Sequence, residues 1–242
     1  MKFRGSRRQF PPASESAKLQ FASKLFDLHD GFRPTKSLYL DFEGSGAGHE
    51  AALGLYWPQR KGTERFRLLL SGDDDRPLSA TGLKYALEDL HCACSEVNSV
   101  VVFSGGEIES DELHRFREVF GKNHVLAQKT WVNMHVVLRK SSEMKRSVRD
   151  HRYVRKIGRQ MAHYSLEALE WEFGIRRCPD LRGHDCTYAD QATGNMKILE
   201  LLKRLRTGDG TDEDSALLEA YCRQDVESLF KVARESEKIL RR

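Results

Sequence analysis

The stretch Ser37-Leu-Tyr-Leu-Asp-Phe-Glu-Gly44 constrains this chain most. Strict alternation along a strand sends Leu38, Leu40 and Phe42 to one face and Tyr39, Asp41 and Glu43 to the other. The first face is wholly apolar and reads as core. The second carries two carboxylates on what reads as a buried strand, and acids that close do not both stay ionised in a low-dielectric site without a counter-charge. No Lys or Arg lies within the strand, so a divalent cation is the natural partner.

Around this strand the chain divides in two. Residues 1–13 are basic and proline-containing, and a short helix follows with Phe21, Leu25 and Leu28 at helical spacing, broken by Asp30, Gly31 and Pro34. Residues 1–36 therefore read as a basic N-terminal arm and short helix, and 37–242 as one domain with a substantial core. The strand signals Leu38–Glu43, Ala51–Trp57 and Arg65–Leu70 form a meander, with Asp73-Asp-Asp75 as a solvated turn after it. From Ser79 the period changes to about 3.6, with Leu83, Leu87, Leu90, Cys94 and Val97 on one face of a helix. Val100–Phe103, bounded by Gly105-Gly106, reads as a fully buried strand. Helices follow through Leu113, Phe116 and Phe120, after Trp131, from Ser165 to Gly174, and over about 195–205 and 215–239.

Composition limits the function classes. The net charge is only +4, no apolar run approaches bilayer length, and Met1–Phe10 lacks the hydrophobic segment of a secretory signal. The expectation is a soluble, cytoplasmic protein with no membrane partner. Five cysteines without regular spacing fit a reducing compartment. His91, Cys92 and Cys94 are read as residues of a helix rather than as a metal site, and His184, Asp185 and Cys186 as a loop rather than a nucleophile cluster.

Near the C-terminus stands Tyr221-Cys-Arg-Gln-Asp-Val-Glu-Ser-Leu229, in which Tyr221 and Asp225, at i and i+4, share one helix face. An Asp-x-Glu strand early in the chain and a Tyr-x-x-x-Asp helix late in it resemble the DEDD superfamily of 3′-to-5′ exonucleases, in the subclass with tyrosine in its last motif. The resemblance spans about residues 37–235. Val101 to Leu113 is similar to the second exonuclease motif, Asn-Gly-x-x-Phe-Asp followed by Leu, and Tyr164 to Gly174 is similar to the helix that precedes the final motif. Aligned on Gly105 and Leu113, the chain has Ser104 where Asn is usual, Ile108 where Phe is usual, and Glu109 where the metal-binding Asp is expected, with Asp111 as a possible substitute.

The resemblance implies an α/β fold of the RNase H-like type, a mixed sheet of about five strands flanked by helices. It further implies that Asp41, Glu43, Glu109 and Asp225 hold two Mg²⁺ or Mn²⁺ ions roughly 3.5–4 Å apart, with Tyr221 orienting the attacking water. The activity implied is metal-dependent 3′-to-5′ hydrolysis of phosphodiester bonds in single-stranded DNA or RNA. The atypical second motif supports a rival, a catalytically inactive RNase H-like nucleic-acid-binding module.

Charge distribution adds to this. Arg139, Lys140, Lys145, Arg146, Arg149, Arg152, Arg155, Lys156 and Arg159 stand against only Glu143 and Asp150 in residues 139–159, a local net of +7. Such a stretch is suited to tracking a phosphate backbone, with His151 and Tyr153 available to stack on bases. Lys2, Arg4, Arg7 and Arg8 of the arm offer a second contact.

Overall fold

Five short strands build one mixed sheet: β1 (Ser37–Gly44), β2 (Glu50–Tyr56), β3 (Phe66–Leu70), β4 (Ser99–Val102) and β5 (Thr130–Asn133). The computed structural model describes residues 13–44, 50–59, 65–70, 96–104, 111–152, 166–177, 198 and 200–242. In the sheet the strands lie in the order β3-β2-β1-β4-β5. β1, β2 and β3 pair antiparallel as the expected meander, whereas β4 pairs parallel to β1 and β5 parallel to β4. Parallel neighbours need crossover connections, and the helices that flank the sheet are the natural consequence. The fold is α/β with an RNase H-like arrangement, as expected from the chain.

The alternation in β1 appears as two cores. Leu38, Leu40 and Phe42 join Leu53, Leu55, Val100 and Val102 on one face, covered by Phe116 of helix α2 (Asp111–Phe120) and by Leu126 and Ala127 of the short turn Val125–Gln128. Tyr39 lies on the opposite face with Ala52, Tyr56, Phe66, Val101 and Val132. That face is covered by α1 (Glu15–Asp27), α3 (Met134–Lys140), α4 (Ser142–Arg152), α5 (Leu166–Glu172) and the long α6 (Asp212–Leu240).

Helix α6 starts where Thr211 and Asp214 form a reciprocal capping box, a few residues ahead of the expected start near Ser215. Its buried residues Leu218, Tyr221, Cys222, Asp225, Val226, Leu229, Val232 and Ala233 recur at helical spacing. Residues 201–207 are also helical. Helices α3 and α4, read in the sequence as one stretch, are separated at Ser141, which is buried and whose Oγ donates to the Val137 carbonyl at 2.8 Å. β5 lies where the sequence suggested only the lead into a helix. Four residues are too few to show a period, and the helix begins only at Met134, with Asn133 as its cap.

Helix α1 belongs to the main core. Ala17, Phe21 and Leu25 are buried there, and the Phe21 ring meets Phe173 edge-on at 5.4 Å. Leu28, grouped with this face on spacing, is instead 40 % exposed, because the helix ends at Asp27 and Leu28 forms its cap. Several expectations lie outside the described residues: most of the helix from Ser79, the Asp73–Asp75 turn, His91, Cys92 and Cys94, Gly105-Gly106, Ile108, Tyr153, Ser165, and His184, Asp185 and Cys186. No helix of the described residues is long and apolar enough to cross a membrane.

If α1 is integral to the core, truncating its fully buried aromatic creates a large cavity. Phe21→Ala is expected to lower unfolding free energy by about 3–5 kcal/mol in denaturant titration. A loss below about 1 kcal/mol would mean that the helix is an appendage.

Candidate metal centre

The close approach of α6 to the sheet depends on the residues opposite the two acids. Asp41 pairs with Gly54 and Glu43 with Ala52, so β2 presents no more than a hydrogen atom and a methyl group there, while the flanking pair Tyr39–Tyr56 is bulky. The helix settles over the small pair. A Cβ built on Gly54 would stand 3.3 Å from the Cys222 Cβ and 3.4 Å from the Cys222 carbonyl oxygen, tighter than side chains ordinarily pack. At the other end of this step Phe230 packs against both tyrosines, at 5.5 Å from Tyr39 and 5.4 Å from Tyr56. A register shift between Glu43 and Gly44 ends the regular pairing just beyond the second acid.

This seating brings Asp225 of α6 to the acids of β1. One carboxylate oxygen from each of Asp41, Glu43 and Asp225 lies within 4.8 Å of the other two. Asp225 is buried and the two strand acids are half-buried. Hard oxygen donors at that spacing suit a divalent cation such as Mg²⁺ or Mn²⁺. Cys222 lies beneath them, and burial first, then the charges of Glu43, Asp41 and Asp225, pushes its thiol well above its ordinary range. It is inert as a nucleophile at neutral pH.

Two residues that the sequence reading did not single out complete the surroundings. Arg177 is buried, and it donates from Nε and Nη2 to the two oxygens of Glu170, at 3.0 and 2.9 Å. The same Nη2 donates to Oδ1 of Asp225. The guanidinium carbon also lies 5.7 Å from the centroid of the Tyr221 ring, which is buried one turn before Asp225. Local sequence explains how Arg177 gets there. Gly174, at φ 70°, reverses the chain after α5: Gly174 N–H donates to the Trp171 carbonyl and Ile175 N–H to that of Glu170. This glycine-terminated helix end folds the next residues back along α5. The available signal was Glu170 itself, which shares a helical face with Leu166, Leu169 and Phe173 and therefore needs a buried partner.

The structure thus gathers Asp41, Glu43 and Asp225, with Tyr221 on the same helix face. Glu109 lies outside the described residues, and Asp111 is the first residue of α2. Of the basic stretch, Arg139 and Lys140 end α3 and are exposed, Lys145 and Arg146 are half-buried and exposed on α4, and Arg149 and Arg152 belong to α4. Arg155, Lys156 and Arg159 lie outside the described residues. No protein-family model, curated protein or solved structure matches this chain.

The role of Gly54 is open to direct test. An added methyl costs about 1–3 kcal/mol in overpacking, partly offset by about 0.4–1 kcal/mol from a stiffer unfolded chain. Gly54→Ala is therefore expected to lower the Tm by about 2–4 °C. In a crystal structure of the variant, α6 should stand a few tenths of an ångström further from β2, and an unmoved helix with unchanged Tm would rule out close seating as the cause.

Proposed function

We propose that this protein is a metal-dependent 3′-to-5′ exonuclease acting on single-stranded DNA or RNA. The observation that carries the proposal is the convergence of Asp41, Glu43 and Asp225, from segments some 180 residues apart, on one point. Their order along the chain, with Asp-x-Glu on a strand and Tyr-x-x-x-Asp on a late helix, resembles that of the DEDD motifs, and the RNase H-like sheet suits such an arrangement. Two Mg²⁺ or Mn²⁺ ions, when bound, supply activation of water and stabilisation of the leaving 3′ oxygen.

The chain's own residues do the rest. Asp41 and Glu43 offer carboxylates from a rigid strand, Asp225 offers the third from α6, and Glu109 is proposed as the fourth. The Tyr221 hydroxyl orients the attacking water by hydrogen bonding. Burial of the Tyr221 ring limits its freedom to do otherwise. The exposed Arg139, Lys140 and Arg146 hold the phosphate backbone, so binding weakens as salt rises.

The rival reading, a catalytically inactive nucleic-acid-binding module, is favoured by the cation already on Asp225, the Arg177 guanidinium. End-labelled single strands incubated with Mg²⁺, Mn²⁺ or EDTA separate the two. Shortening from the 3′ end that requires metal and falls at least about 100-fold in Asp41→Asn and in Asp225→Asn supports the enzyme. Salt-sensitive binding with intact strands under every metal condition supports the inactive module. Tyr221→Phe is expected to lower kcat by about 100-fold with little change in KM, and equal rates for the two proteins would remove the tyrosine from the mechanism.

A further inference from the structure

Glu170, Arg177 and Asp225 form a buried chain of alternating charge that reaches the carboxylate cluster from behind, and neither motif of the strand nor motif of the helix includes the first two. Their side chains are 1 %, 2 % and 6 % exposed. A guanidinium is always protonated, so Arg177 brings a permanent positive charge to Asp225. It is not a loose surface contact: both oxygens of Glu170 fix the fork, and Nη2 is shared between Glu170 and Asp225.

A divalent ion entering the cluster meets one carboxylate already engaged by a monocation. Coulomb repulsion between such an ion and the guanidinium opposes binding, and in a buried setting it is weakly screened. Glu170 works the other way, because it draws part of the guanidinium charge to itself. The two residues therefore pull cation affinity in opposite directions.

We propose that Arg177, braced by Glu170, is a resident counter-cation that positions Asp225 and sets how tightly the Asp41, Glu43 and Asp225 cluster takes a divalent ion. The inference rests on the reading of that cluster as a metal centre. Without a divalent ion, Arg177 offsets part of the mutual repulsion of the acids. With one, it limits affinity and keeps the Asp225 carboxylate oriented from its rear.

The test is titration of the full chain with Mn²⁺ alone, following the free-ion electron paramagnetic resonance signal, alongside Tm without metal. Glu170→Gln, close in shape to the native residue, leaves the whole guanidinium charge on Asp225 and should weaken Mn²⁺ binding by about tenfold. Arg177→Met should tighten it by about tenfold, while Arg177→Lys, which keeps the charge, stays nearer the wild type. A brace with a structural role only would lower Tm in both Glu170→Gln and Arg177→Met and move affinity in neither, or in the same direction in both, and would overturn the inference. If Arg177→Met does not fold, Glu170→Gln decides alone: unchanged or tighter binding overturns it. Wild-type binding that Asp41→Asn abolishes, with Glu170→Gln unaltered, sinks this inference and leaves the metal centre standing. Absence of Mn²⁺ binding by the wild type overturns both.

Discussion

Three like charges drawn from two distant segments repel one another, and the seating of α6 on the sheet is what holds them together. With the oxygens within 4.8 Å of one another, each pair of ionised carboxylates costs roughly 3 kcal/mol or more at an effective dielectric of about 20. Burial of Leu218, Cys222, Val226, Leu229 and Val232 along one helix face opposes that cost, since fully burying an aliphatic side chain contributes about 1.5–3 kcal/mol. Packing alone would leave the site imprecise. The Asp41–Gly54 and Glu43–Ala52 pairs give the helix one low place to rest, and bulky Tyr39, Tyr56 and Phe230 bound that place on one side.

Much of this was legible in the chain because it depended on period. The two-residue alternation of β1 correctly assigned Leu38, Leu40 and Phe42 to one core and Tyr39, with both acids, to the other face. The i, i+4 spacing of Tyr221 and Asp225 placed both on the buried side of α6. What period does not encode was missed. β5 is too short to declare itself, and Ser141 interrupts a helix that composition alone would continue. Leu28 has the right spacing to be buried but falls beyond the last turn of α1.

The partnership of Arg177 with Asp225 was hidden for a different reason. It links residues 48 apart through a chain reversal at Gly174, and its logic lies in charge balance rather than in pattern. The first strand contains no cation, which points to a divalent partner for its acids. The fold brings a monocation from elsewhere as well. Glu170, an acid on the apolar side of a short helix, carries the one sequence hint that a buried arginine must come to meet it.

On the proposed reading, the same residues serve stability and chemistry at once. A cluster of acids on a core face is costly for folding and useful for binding a cation, and Arg177 tempers the first while restraining the second. The measurement that bears most directly on this account is anomalous X-ray scattering from crystals soaked in Mn²⁺. A peak is expected among Asp41, Glu43 and Asp225, with carboxylate oxygens about 2.0–2.4 Å away. Well-diffracting soaked crystals with no peak there, or with peaks only at other acidic residues, would contradict it.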